Sequence, residues 1–233
     1  MKPYYQHEGI TIFHGDCREI LPTLEPVDLV LTDPPYGILN LQNGQSGAIR
    51  KSPRSQGSGK LRDRLLNTAS ISWDVAPSDE IFEAMRQLSL HQIIWGGNYF
   101  PLPPTRGILV WDKQQPWPNF SQAEIAWTST SRPAAVFRQT NSIEGKLHPT
   151  QKPLNLMRWC LEFFPDADTI LDPFMGSGTT LRAAKDLGRK AIGIEIKEKY
   201  CEIAAKRMSQ EVINFGQPDP SRDRALSAVP GAD

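Results

Sequence analysis

The stretch Thr169-Ile-Leu-Asp-Pro-Phe-Met-Gly-Ser-Gly-Thr-Thr180 decides the fold class. Thr169–Leu171 has the apolar, β-branched character of a strand. A turn carrying Gly176 and Gly178 follows, then a helical stretch to about Leu187 with Gly188 as its stop. Glycines there let backbone approach a ligand closely, and a helix start presents unpaired N–H groups. Glu195 closes the next strand, Lys190–Ile196, 19 residues after Gly176. In dinucleotide folds an acid so placed holds ribose hydroxyls. The third glycine of that fingerprint is absent, with Leu181 in its place. Taken alone, the turn also reads as a tight βα corner without a ligand.

Upstream, Val27-Asp-Leu-Val-Leu-Thr32 is a mostly apolar run of strand length, stopped by Asp33-Pro34-Pro35-Tyr36-Gly37. Such runs suit strands buried on both faces under helices. Ile10–His14, Gln92–Trp95, Gly107–Trp111, Glu124–Thr128 and Ala135–Arg138 are further strands. Helical spacing marks Cys17–Leu24, Ser78–Leu90, Pro153–Phe164 with Pro153 in its first turn, and Lys197–Ile213. Strands alternating with helices predict an α/β domain over 1–215, its central sheet mainly parallel with helices on both faces. Residues 39–71 read as a long basic loop, 101–147 as a short recognition region, and 216–233 as a disordered tail.

The chain of 233 residues is 39% apolar, with 26 basic and 26 acidic side chains. That balance excludes wholesale disorder and a globally basic nucleic-acid binder. No apolar run approaches the roughly 18 residues of a membrane span, and Met1–Gly9 lacks the apolar stretch of a signal peptide. Cys17, Cys160 and Cys201 are widely spaced and odd in number, which suits reduced thiols in a soluble cytoplasmic protein. Neither the cysteines nor His7, His14, His91 and His148 show metal-ligand spacing, so no metal is expected. Charge is uneven, however. Arg50, Lys51, Arg54, Lys60, Arg62 and Arg64 face a single acid, Asp63, across that segment. A basic loop on an acidic body steers a polyanion to one side; a solvated loop is the plainer alternative.

The Asp33-Pro34-Pro35-Tyr36 corner carries chemistry. Two prolines stiffen the chain and remove two donors. They leave a carboxylate, carbonyl oxygens and an aromatic ring at the carboxyl edge of the sheet, where open α/β folds bind ligands. A rigid acceptor pair beside a stacking ring suits a planar base bearing an amino group. A proline-rich turn plugged by Tyr36 is the alternative.

Taken with His148-Pro-Thr-Gln-Lys-Pro153, the two motifs resemble the amino-group DNA methyltransferases in their β-type permuted order, catalytic motif first and cofactor motif last. The resemblance covers about residues 8–212. It implies a Rossmann-like methyltransferase fold, S-adenosyl-L-methionine as cofactor (S-adenosyl-L-homocysteine as product) and DNA as substrate. Asp172, Phe174, Gly176, Ser177, Gly178 and Thr179 would line the methionine and ribose side, and Glu195 would accept the ribose hydroxyls. Asp16 and Cys17 would lie at the cofactor adenine, Thr150 and Lys152 near its carboxylate. Asp33 and the Pro34 carbonyl would hold the target amine beside the cofactor methyl, with Pro35 stiffening the corner and Tyr36 stacking a flipped base. In this family Asp at the first motif position is associated with adenine N6, and Ser with cytosine N4. The resemblance also admits a homodimer, a restriction endonuclease partner and a bacterial or phage-type setting. Trp111, Trp117, Asn119, Gln122, Arg132 and Arg138 are candidates for base recognition, with Trp111 read rather as core. An N4-cytosine enzyme and a non-catalytic DNA-binding homologue are the alternatives. A nicotinamide dehydrogenase is disfavoured by the missing glycine.

Overall fold

The computed structural model describes residues 1–37, 74–116, 121–141 and 151–211. The strands are β1 (Tyr5–His7), β2 (Ile10–His14), β3 (Leu29–Thr32), β4 (His91–Trp95), β5 (Ile108–Asp112), β6 (Ala123–Thr128), β7 (Ala135–Arg138), β8 (Thr169–Asp172) and β9 (Lys190–Glu195). The helices are α1 (Cys17–Ile20), α2 (Asp79–Leu88), α3 (Leu154–Glu162), α4 (Thr179–Asp186) and α5 (Glu198–Met208).

Among the described residues, nine strands form one sheet in the order β1-β2-β9-β8-β3-β4-β6-β5-β7. From β2 to β4 every pairing is parallel. β6 runs against both β4 and β5, and β1 runs against β2. The chain leaves β8 toward β9 on one side and β3 toward β4 on the other. The β8–β3 boundary is therefore a switch point, where crossover connections diverge and leave a crevice at the strands' carboxyl ends. Because β6 is reversed, its first residues, not its last, reach that edge.

Both faces are covered. Leu29, Leu31, Ile93 and Trp95 pack with Leu156 and Cys160 of α3, Leu181 of α4 and Ala204 of α5. On the other side Val30, Ile94, Leu171 and Ile194 pack with Ile20 of α1 and with Ile81, Phe82 and Met85 of α2. β3 thus buries alternate residues on opposite faces, which is why its sequence reads as an unbroken apolar run. Asp28, just before β3, accepts from the Asp168 and Thr169 amides and the Thr169 hydroxyl, tying the strand's start to β8.

Some boundaries differ from expectation. The segment predicted as a helix from Cys17 to Leu24 is one α-turn followed by a 3-10 turn over Leu21–Thr23, because Pro22 cannot donate into a longer helix. Pro153 precedes α3 with extended backbone instead of sitting inside its first turn. Strand β1 was not anticipated; three residues at a sheet edge carry too little periodicity. The stretch 101–147 contributes β5, β6 and β7 to the main sheet, and Trp111 is 1% exposed in its core. The basic loop and the C-terminal tail lie outside the described residues. No helix among the described residues is long and apolar enough to cross a membrane.

Candidate active site

A cavity of about 1010 Å³ opens at the carboxyl edge, between the segments that follow β2, β3, β8 and β9. Its first wall is the turn after β8. Met175 N–H donates to the Ile194 carbonyl at 3.1 Å and Gly178 N–H to the Met175 carbonyl at 2.8 Å, which fixes the curl. From behind, Arg207 of α5 donates to the Ser177 carbonyl at 2.6 Å. Glu195, at the end of β9, accepts from the amides of Gly176 at 3.1 Å and Lys197 at 2.8 Å. Burial raises its pKa against the pull of those amides. Its carboxylate lines the cavity while bonded only to backbone, so lone pairs remain for a diol. That donor set fits the ribose of the expected cofactor.

Gly176, Ser177, Thr179, Phe174 and Asp172 line the same wall. Gly178 is a correction: it is turned toward α5, where an added Cβ would sit 2.9 Å from Ala204. It serves close helix packing and is not among the residues lining the cavity. Opposite, Asp16 caps α1 by accepting from Arg18 N–H at 2.9 Å, and the Arg18 side chain holds its carboxyl below the usual range. Cys17 lies beside it, its thiol pushed up to about 11 by burial and the Asp16 charge.

The second wall follows β3. Thr32 donates its hydroxyl to Asp172 at 2.7 Å, a buried bond that locks the ends of β3 and β8 together. Asp172 is pushed up to about 6 by burial, opposed by the Thr180 and Thr32 hydroxyls. Asp33 then projects into the cavity with both oxygens engaged. Oδ1 accepts from the Tyr36 hydroxyl at 2.7 Å, and Oδ2 accepts from Lys152 Nζ at 2.6 Å. Burial raises the Asp33 pKa, Lys152 pulls it back, and Glu124 adds to the rise. For Lys152 burial opposes the charge, but Asp33 and Glu124 together outweigh it and keep the ammonium protonated.

Tyr36 stacks on Tyr99 with ring centroids 4.9 Å apart, and meets Phe100 edge-on at 6.1 Å. Tyr99 itself is 48% exposed. The Tyr36 ring also lies against Gly96, whose φ is +69°; a Cβ there would come within 2.1 Å of the ring. Only glycine meets both demands. Asp74, buried, accepts from Gly37 N–H at 3.0 Å and so pins the far end of the corner.

The structure brings Asp16, Cys17, Asp33, Pro34, Pro35, Tyr36, Lys152, Asp172, Phe174, Gly176, Ser177, Thr179 and Glu195 around one cavity. Lys152 is no surface lysine: it is 6% exposed. It sits on Asp33, held there because two half-buried carboxylates favour a cation between them. Thr150, His148, Trp117, Asn119 and the six basic residues from Arg50 to Arg64 lie outside the described residues. Glu124, Lys113, Asp74 and Tyr99 were missed. Each is a single residue in an ordinary strand or turn context, and only three-dimensional proximity marks it. The Ser72-Trp-Asp74 step out of the loop was the one available hint for Asp74.

Comparison with known proteins agrees with this geometry. Residues 110–206 match the N6/N4 family described as DNA methylase. A type II methyltransferase of Lactococcus lactis subsp. cremoris, M2.LlaDCHI, is 28% identical over an alignment spanning 90% of this chain and 93% of its own. Among solved structures, the M1.HpyAVI–SAM complex superposes with a TM-score of 0.51 at 24% identity, covering 86% of this chain and all of that one. PvuII DNA methyltransferase, described as cytosine-N4-specific, reaches 0.54 at 18% identity, with 91% of each chain covered. These two likenesses speak to the Rossmann-like fold. With the motif order, the sheet topology and the two-walled cavity already in place, these matches make the chain similar to the amino-group DNA methyltransferases.

Proposed function

We propose that this protein transfers a methyl group from S-adenosyl-L-methionine to the N6 amino group of adenine in DNA, acting on a base flipped out of the helix. The observation that carries the reading is the placement of the Asp33–Tyr36 corner across one cavity from the Gly176–Glu195 wall. When bound, the cofactor supplies an electrophilic methyl on a sulfonium centre. Glu195 is assigned to the ribose hydroxyls, and Asp16 and Cys17, on the same cavity, to the adenine end.

The chemistry needed from the protein follows from the substrate. An exocyclic amine conjugated with its ring is a poor nucleophile because its lone pair is delocalised. Asp33 accepts one amine N–H and the Pro34 carbonyl the other, which draws the nitrogen toward tetrahedral geometry and directs its lone pair. Holding nucleophile and methyl in line supplies much of the rate. Burial and the Asp33 charge keep the Tyr36 phenol protonated, so it serves as a donor to Asp33 and a stacking surface. A base within a duplex cannot reach this depth and must be extruded. The basic stretch Arg50–Arg64 is assigned to phosphate contacts, which position DNA without reading it.

The test is nucleoside mass spectrometry after incubating mixed-sequence DNA with protein and cofactor, with Asp33→Ala as control. N6-methyladenine formed only by the intact protein is the expected result. N4-methylcytosine would keep the mechanism and overturn the base. Full activity of Asp33→Ala would overturn the mechanism.

A further inference from the structure

Asp33 does not stand alone. Four charges alternate outward from it: Asp33, Lys152, Glu124 and Lys113. Lys152 Nζ lies 2.6 Å from Asp33 and 3.0 Å from Glu124 Oε2, and Glu124 Oε1 lies 2.5 Å from Lys113. Each member comes from a different segment. Glu124 reaches the row only because β6 is reversed, which puts its second residue at the carboxyl edge opposite Trp111. The established motifs place no demand on Glu124, yet its position is specific: one oxygen serves each lysine.

We infer that Glu124 is a positioning residue for methyl transfer, fixing Lys152 as a charged donor on Asp33 and thereby holding Asp33 as an oriented anion. This rests on the methyltransferase reading above. A buried lysine facing one carboxylate can lose its proton to that partner and leave a neutral pair. A second carboxylate in direct contact with the lysine makes that loss unfavourable. Glu124 touches Lys152 and not Asp33, so its charge favours the proton on Lys152 over the proton on Asp33. The accepting oxygen then stays ionised when the amine arrives.

The groups facing Lys152 are Asp33 and Tyr36 after β3, Glu124 on β6, the Trp95 ring on β4 and Cys160 on α3; Lys113 and Asp172 lie one contact further out. Replacing Glu124 by Gln removes one negative charge from this set and keeps the shape. Asp33 and Lys152 then both release protons more easily. The acid limb of the kcat–pH profile moves to lower pH, and the alkaline limb, set by the nearer Lys152, moves down further, by about one pH unit or more.

The experiment compares single-turnover methyl transfer to DNA across pH for wild type, Glu124→Gln and Glu124→Asp. In parallel, the Lys152 side-chain carbon signal of 13C-lysine-labelled protein is titrated by NMR without substrate, assigned with Lys152→Arg. Both limbs and the NMR midpoint moving down in Glu124→Gln, and returning in Glu124→Asp, is the expected result. A profile lowered in height with both limbs and the midpoint unmoved would overturn the inference, since packing loss alone has that signature. No transfer by the wild type would sink the methyltransferase reading instead, while the NMR midpoint would still decide whether Glu124 holds the Lys152 charge.

Discussion

The turn after β8 meets the cavity with backbone, whereas the corner after β3 meets it with ionised side chains. In the first wall the amides of Gly176 and Lys197 hold Glu195, all within residues 176–197, with Arg207 supporting the turn from behind. In the second, Asp33, Glu124 and Lys152 stand 28 to 119 residues apart in sequence and meet only in the folded sheet. Backbone walls are pre-paid by local conformation and tolerate neutral partners. Charged walls are coupled, so altering one member changes the proton affinity of the rest. The lesson is that, on the proposed function, cofactor affinity and amine activation should be separable, with the Thr32–Asp172 hydrogen bond joining the two sides.

That separation can be broken experimentally. Asp33→Asn keeps shape and removes the acceptor charge; transfer should fall about a thousandfold or more, with S-adenosyl-L-homocysteine affinity by calorimetry changed little. A matching loss of affinity would show that the walls are not independent. Gly96→Ala pushes a methyl into the Tyr36 ring and strains a positive φ, at a cost of roughly 2–4 kcal/mol. Thermal unfolding should register it, along with lost transfer and near-normal cofactor binding.

Asp172 gives a pH-dependent test. Its folded value of about 6 lies above the ordinary 3.8, so the folded state binds its proton more tightly than the unfolded state. Stability from this group is therefore full below about pH 4 and lost as pH rises to about 6, some ~3 kcal/mol in total. Asp172→Asn should gain stability relative to wild type across that window and hold the difference above it, as read from urea unfolding. A flat difference would refute the assignment. The smallest effect is expected at the first wall. Glu195→Gln should weaken cofactor binding about tenfold to a hundredfold while leaving kcat at saturation largely intact.

The same contrast explains what could be read before the fold was seen. The glycine turn, its acid and the Asp-Pro-Pro-Tyr corner are contiguous strings whose spacing follows from local geometry. The sheet's interior strands were legible too, because burial on both faces leaves an apolar run. Glu124 was invisible, since one acid at the start of a strand signals nothing until the strand's direction is known. Lys152 was read as approaching the cofactor's carboxylate, whereas its contacts with Asp33 and Glu124 depend on which carboxylates the fold brings beside it. Tyr99 and Gly96 looked like an ordinary turn, and their meaning came only from the Tyr36 ring packed against each of them.

The sheet order has a consequence for how the chain is made. β2 and β3 emerge early, yet in the folded sheet β9 and β8 lie between them, and those strands are completed only at Glu195. Until then one side of β2 and one side of β3 are open edges with no ladder to join. The decisive pairings are long-range, so loop-closure entropy falls due late and folding is slow relative to helical proteins of similar size. A nascent chain on the ribosome must keep those edges from pairing elsewhere for most of its synthesis. A chain released before residue 195 would lack the centre of its own sheet.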